Sequence, residues 1–389
     1  MSQGFYEDRK FHTPAFQLLL NGQDPGRTVA GDVLEVRFTE ELGAISSFEF
    51  TLYDWDPHAV RPRYSSPWDD QGRPLPQFPG DSQMVPNFEP GARVDLRFGY
   101  VEDGDLPLML RGEVITISPS FPASGTPTCQ VRALDAFLRS LQKVHVEGNY
   151  DGTDKAIVDQ LCRQNQVNVR WVEPESEGEE QHSVVVDGTL YDEIQTRVEN
   201  YGYVLSTTGA EDSELLLAPS TAAGSEPVLE LRWGRTLKEF TPVLSAAAQI
   251  SEVVVRLADP NAPEGERQLE VVRRFSDIGV DPAAIGPASV ADLESAVTGI
   301  REIIKPDGAL TEADAIKAAD AHLHELAGQL ITGTGSTVGL PALRAGQVIS
   351  LAALGARFDG NYRVFKTVHT LGGTGYSTSF EVRKEVLAP

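Results

Sequence analysis

Residues 346–386 read GQVISLAALGARFDGNYRVFKTVHTLGGTGYSTSFEVRKEV. Apolar residues alternate through Gln347–Leu351, Tyr362–Leu371 and Thr378–Val386, the period of two that belongs to strands with one face turned to a core. Gly346, Gly360 and Gly375 stand before these runs, where turns between short strands need positive φ. The stretch marks a fold rather than an active site.

Working outward, the strand pattern recurs at Val228–Trp233 and Ile250–Leu257, and again through Phe16–Leu20, Val33–Phe38, Phe48–Leu52, Val94–Phe98, Met109–Ile117 and Cys129–Leu134. The two β-regions resemble each other, which suggests an internal duplication. Gly91, Gly112 and Gly125 precede strands in the first as Gly346, Gly360 and Gly375 do in the second. Earlier strands echo more weakly: Leu34, Val36 and Arg37 against Leu229, Leu231 and Arg232, then Phe48, Phe50 and Leu52 against Val253, Val255 and Leu257. Glycine-punctuated strands also arise in any barrel, so the echo alone leaves that alternative open.

Between the β-regions the period changes. Ile157, Leu161 and Cys162 share a helical face, with Asp151 or Thr153 as the cap, and Leu190, Ile194, Val198 and Tyr201 form a second helix stopped by Gly202. Tyr203–Ser206 and Leu215–Ala218 read as a hairpin, and the acidic run Glu173–Glu180 as a solvated loop. In the second β-region, Val290, Leu293, Val297, Ile300 and Ile304 predict an amphipathic helix within an insertion at about 260–305. A further helix over 311–332 starts with Thr311 and Asp314 as a capping box, buries Ile316, Leu323, Leu326 and Leu330, and ends at Gly333. The fold class expected is mainly β with α+β insertions, two tandem related β-barrels. The domains are 1–147, with a Pro-rich loop at 54–90 ordered only on assembly; a 148–227 α+β middle; and 228–389.

The 389 residues suffice for two or three domains with a sizeable core. Fifty-seven acidic against thirty-three basic residues give a formal charge of −24 without a basic cluster, which argues against direct nucleic-acid binding. Cys129 and Cys162 lie apart and read as small buried hydrophobes in a reducing compartment. The N-terminal run carries neither a secretory signal nor a membrane span, so cytoplasmic synthesis without membrane anchoring is expected.

The run Gly339-Leu340-Pro341-Ala342-Leu343-Arg344-Ala345-Gly346 sharpens this reading, together with Leu354 to Val364, Val368-His369 and Gly375 to Val382. It resembles the phage late control D family, the baseplate hubs of contractile tails, which are similar to the N-terminal half of the type VI secretion spike protein VgrG. Leu231-Arg232-Trp233-Gly234 with Phe240, and Asn200-Tyr201-Gly202-Tyr203-Val204, extend the match over most of the chain; the Pro-rich loop and the 260–305 region depart from it. The resemblance implies a structural, non-enzymatic hub of a phage tail or tail-derived injection particle. It implies a homotrimer with a pseudo-sixfold ring, whose partners are a spike protein, the tail tube protein and other baseplate proteins. Because the chain ends at Pro389 just after the last strand, the spike is expected to be a separate polypeptide. Strand edges near Val94–Phe98 and Gln347–Leu351 are expected at the subunit rim. The acidic charge either lines the ring's channel or only solubilises its outside.

The resemblance adds no catalytic, cofactor-binding or metal residues. His322 and His324, two apart on a helix, point in different directions and do not share an ion easily. His369, in an apolar strand, reads as a hydrogen-bonded structural residue rather than a base. Gly333-Thr334-Gly335-Ser336-Thr337-Val338-Gly339 lacks a phosphate-loop lysine and reads as a loop. The competing readings are a cell-wall glycan hydrolase, which needs only two placed carboxylates, and a glycan- or receptor-binding tail protein exposing Trp55, Tyr64 and Trp68. Peptidoglycan fragments released by the protein would favour the first, and loss of glycan binding on replacing those aromatics the second.

Overall fold

The computed structural model describes residues 13–74, 86, 88–172, 182–200, 202–207, 214–219, 225–258, 268–280, 295–305 and 312–386. The chain is mainly β, and its largest feature is a twelve-stranded sheet. Six strands come from the first region: β1 (Pro14–Leu20), β2 (Val33–Glu41), β3 (Ser47–Tyr53), β4 (Arg93–Tyr100), β5 (Leu108–Ser120) and β6 (Thr128–Asp135), with a short helix α1 (Arg27–Asp32) before β2. The middle region holds α2 (Ala136–Gln142), β7 (His145–Gly152), α3 (Asp154–Gln164), β8 (Val169–Trp171), β9 (His182–Thr189), α4 (Leu190–Asn200), β10 (Tyr203–Thr207) and β11 (Leu215–Pro219). The last region follows with β12 (Leu229–Arg232), β13 (Leu237–Leu244), β14 (Glu252–Ala258), β15 (Gln268–Arg274), β16 (Arg301–Ile304), α5 (Glu312–Gly328), β17 (Ile331–Val338), β18 (Val348–Ala352), β19 (Gly360–Gly372) and β20 (Gly375–Lys384).

Within the large sheet the first region runs β1-β4-β5-β6-β3-β2 and the last β12-β18-β19-β20-β17-β13. With β14–β16 set aside, these are the same order along the chain. The registers agree as well. A bulge lies between Val114 and Thr116 of β5 and again between Val364 and Lys366 of β19. A second lies between Val33 and Glu35 of β2 and again between Leu237 and Glu239 of β13. Gly91 N–H donates to Val114 O and Gly346 N–H to Val364 O, both at 2.8 Å. Bulges are specific departures from the ladder, so their recurrence equates β2 with β13, β3 with β17, β5 with β19 and β6 with β20. One pairing differs: β1 runs antiparallel to β4, whereas β12 runs parallel to β18. Among the described residues neither run closes on itself by strand pairing.

This register corrects the weaker sequence echoes. The counterpart of β2 is β13, not the Leu229–Arg232 strand, and the counterpart of β3 is β17. The Val253–Leu257 strand lies outside the large sheet, in a three-stranded sheet β15-β14-β16. Gly333–Gly339 is not a loop, because Gly333 to Val338 belong to β17. A Cβ on Gly335 would sit 2.6 Å from the Phe380 ring, so glycine there makes room for an aromatic neighbour. For the same reason the last helix ends at Gly328, before Ile331 opens the strand, and Leu330 is buried beyond its end. Its buried face carries Ala315, Ala319, Leu323 and Ala327, while Ile316 and Leu326 pack partly buried beside it. Thr311 lies outside the described residues. The helix expected over Val290–Ile304 is replaced at its end by β16, since Ile304 pairs in parallel with Val255 of β14; Val290 and Leu293 lie outside the described residues.

Three apolar clusters form the interior, one under each six-stranded run and one in the middle region. In the last cluster α3 and α4 present Ile157, Leu161, Cys162, Leu190, Ile194 and Val198, with Thr153 capping α3 by accepting from Ala156 N–H at 3.1 Å. Asp151 is part of β7. The β10–β11 hairpin forms as expected, and Tyr201 and the 173–180 run lie outside the described residues. Cys129 and Cys162 are free thiols buried in different clusters, each pushed up to about 12 by burial.

The start of the Pro-rich loop is tied down within the single chain. The buried Asp54 carboxylate accepts from the backbone N–H of Arg63, Tyr64 and Ser65 at 2.9, 2.5 and 3.2 Å. Tyr64 and Phe88 are both 1% exposed in the first core.

Candidate assembly surface

The two halves meet along one strand pair. The first part of β19 pairs with β18 and its later part with β2, from Lys366 opposite Glu41 to Gly372 opposite Glu35. Leu42 N–H donates to Phe365 O at 2.8 Å. In an antiparallel ladder this parity makes Glu40/Thr367, Phe38/His369 and Val36/Leu371 the hydrogen-bonded pairs.

A polar network locks this seam. Arg344 donates from Nε and Nη2 to the two oxygens of Glu40, both at 2.8 Å, and from Nη2 to Met109 O at 3.2 Å. Ala345 N–H adds a bond to Glu40 at 2.9 Å, and the guanidinium lies 5.2 Å from the Phe38 ring centre. Burial alone would raise the Glu40 pKa, but the charge and hydrogen bonds of Arg344 hold it below 4.5. Beside them His369 is fully buried. Its Nε2 lies 3.0 Å from Leu343 O, which can only accept, so Nε2 carries the proton. Nδ1 then accepts from Tyr376 Oη at 2.9 Å. Burial, reinforced by the Arg344 charge, pushes His369 down to about 3, which keeps it neutral in a structural role.

The seam has a counterpart that is open. Through the register, β5 beyond its bulge matches the part of β19 that receives β2, and β13 matches β2. Within the described residues no strand pairs with β5 on that side, and β13 pairs only with β17. Sequence reasoning put the rim strands at Val94–Phe98 and Gln347–Leu351. Both are interior, because β4 pairs with β1 and β5, and β18 with β12 and β19. The free edge was hidden by Pro242, which reads against a strand.

The other singled-out residues stand apart from these edges. His322 Nε2 lies 3.0 Å from Glu302, while His324 is half-buried with its pKa lowered by burial. Among the described residues no group of three or more His, Cys, Asp or Glu is placed to hold a metal ion, and no helix is long and apolar enough to cross a membrane. Tyr64 is not on an exposed aromatic face: it is buried and donates to Asp32 at 2.6 Å. Trp68 is 38% exposed.

A profile of the Alg8 N-terminal domain matches residues 81–372, more than half of the chain. The chain belongs to the Alg8 N-terminal domain family. No curated protein matches it. Among solved structures, the 43 kDa tail protein of prophage MuSo2 from Shewanella oneidensis is 13% identical with a TM-score of 0.65, over 96% of this chain and 99% of that one. A tail protein from Neisseria meningitidis is 13% identical with a TM-score of 0.61, over 96% and 97%. A type VI secretion system component of Escherichia coli, described as similar to the T4 bacteriophage tail proteins gp27 and gp5, is 11% identical with a TM-score of 0.53, over 96% and 78%. This member of the Alg8 N-terminal domain family has the fold of these tail and secretion proteins.

Proposed function

We propose that this chain is a non-enzymatic baseplate hub of a contractile phage tail or tail-derived injection system, of the late control D type. In the particle, two barrel-like units per chain, 1–147 and 228–389 around the 148–227 middle, join three chains into a pseudo-sixfold ring. The ring seats a tapering threefold spike on one side and starts the sixfold tail tube on the other. The observation that carries this reading is the repeated six-strand run with its two recurring bulges. A duplicated unit in a trimer presents six similar edges to one neighbour and three identical chains to the other, and closed cyclic contacts then satisfy both. Its partners are the spike, the tube protein and other baseplate proteins. The native mass of the complex isolated from particles tests the stoichiometry: three chains per ring are expected, and a stable hexamer would contradict the reading.

A further inference from the structure

We infer that the turn joining β12 to β13 is a docking site for an acidic peptide segment of a partner protein, with Trp233 as its apolar anchor and Arg232, Arg235 and Lys238 as its cationic rim. The inference goes beyond the hub reading and does not rest on it, because it concerns the chemistry of one turn.

In a chain of net charge −24, Arg232, Arg235 and Lys238 are the only three Lys or Arg residues that fall within seven consecutive positions, and no acid lies between them. All three are exposed. Among the described residues none of them is ion-paired, and the flanking Glu230 and Glu239 are not paired either. Other exposed arginines of the last region find carboxylates, as Arg256 does in Glu270 at 3.3 Å and Arg301 in Glu252 at 2.7 Å. Set among the unpaired cations, Trp233 keeps 50% of its surface exposed. Among the described residues no ring or cation stacks on its indole. Trp and Arg are the side chains that most often anchor an interface, because each buries a large rigid surface and still offers polar groups at its edge.

The turn is held before any ligand arrives. Arg232 O accepts from Arg235 N–H at 3.1 Å and from Thr236 N–H at 3.0 Å, while Arg232 N–H donates to Thr236 Oγ1 at 2.7 Å. Gly234 supplies the positive φ, 78°, that the reversal needs. On one side Trp233 N–H donates to Ala352 O, next to β19's partner strand β18, at 3.0 Å. On the other, Thr236 O accepts from the buried Thr337 Oγ1 of β17 at 2.7 Å. Lys238 occupies the bulge between Leu237 and Glu239. Docking therefore orders side chains and not backbone, which lowers its entropic cost.

A guanidinium fork matches either a carboxylate or a phosphate, so charge count decides between them. Nucleic-acid binders neutralise on the order of six to ten phosphates. Three cations on a strongly acidic chain fall short of that, and the surrounding field repels a long polyanion. Two or three carboxylates of a short peptide match the three cations, and an apolar side chain between them covers the indole.

The test titrates the full-length protein against a fluorescein-labelled peptide in which glutamates alternate with leucine and phenylalanine, with the glutamine version of the same peptide as control. The acidic peptide should bind roughly tenfold or more tightly than the control, and its binding should weaken as salt screens the charges. Trp233→Ala and the charge-reversing Arg235→Glu should each lose about tenfold or more, whereas Trp233→Phe, which keeps an apolar ring, should retain most of the binding. Thermal unfolding of each variant checks the fold; Lys238→Glu, with the same loss expected, takes the place of any variant that unfolds. Absence of binding, equal binding by the wild type and the variants, or tighter binding of a single-stranded oligonucleotide or of anionic phospholipid vesicles would each overturn the inference. None of these outcomes touches the stoichiometry of the ring, so the hub reading stands or falls separately.

Discussion

The two six-strand runs solve the same packing problem with opposite volumes. Across β2, β3 and β6 one row reads Val36, Phe50, Val131; the matching row across β13, β17 and β20 reads Phe240, Gly335, Phe380. The large ring sits in the middle of one row and at both ends of the other. A fixed register with exchanged sizes shows that the backbone pattern, rather than any side chain, is what the duplicated unit retains, as expected if volume and patterning govern a core. The seams differ in kind as well. The one within the chain buries an ion pair and a neutral histidine, whereas the inward-facing positions of the matching open edges, Ile117, Pro119, Phe121, Phe240, Pro242 and Leu244, are apolar.

The largest expected effect comes from acid, which attacks only the first kind of seam. His369 falls from 6.5 unfolded to about 3 folded, so the unfolded chain binds the extra proton. The stability it contributes is therefore full above 6.5 and is lost as pH falls toward 3, by about 1.4 kcal/mol per pH unit. Denaturant titrations of the wild type and His369→Gln should diverge by about 4 kcal/mol near pH 3.5 relative to pH 7. Parallel pH profiles would mean that the histidine is not held neutral in the seam.

Next in size is removal of the cation. Arg344→Met leaves Glu40 facing a low-dielectric seam, at a cost of about 3 kcal/mol, the low end for breaking a buried pair. The low end applies because the two side chains keep 22% and 17% of their surface exposed. Burial would then raise the Glu40 pKa instead of Arg344 lowering it, so the penalty should shrink as pH falls through the acid range. The intact pair behaves oppositely, losing its contribution as pH falls below 4.5. A penalty independent of pH would place the loss in packing alone.

The smallest effect tests the volume exchange itself. Gly335→Ala should cost about 2 kcal/mol by overpacking against Phe380. Rebuilding the row as Phe240→Val, Gly335→Phe and Phe380→Val should recover most stability relative to Gly335→Phe alone. Additive losses in thermal unfolding would show that the two rows are not interchangeable.

The first run was legible where buried residues alternate with partly exposed ones, as in β3, so Phe48, Phe50 and Leu52 stand out. The last run was harder where the structure spends small residues on close approach: Gly333 and Gly335 erased the β17 signal, and Pro242 erased β13. In the middle region β7 went unread because most of its positions are exposed and only Val146, Tyr150 and Gly152 turn inward. Arg344 was noticed only within a run resembling a family. Its partner Glu40 lies 304 residues away, and nothing local in either segment announces the pair. Of the glycine correspondences only Gly91 with Gly346 survives in register; Gly360 matches Leu110, since Leu351 pairs with Gly360 as Leu96 pairs with Leu110.

The claim that a duplicated chain builds a sixfold-like ring from three copies is tested most directly by averaging end-on images of the isolated hub complex without imposed symmetry. The account predicts threefold symmetry with six densities at nearly equal radius, alternating between the first and last regions of each chain. Two sets of densities at clearly different radii, or true sixfold symmetry from six chains, would contradict it.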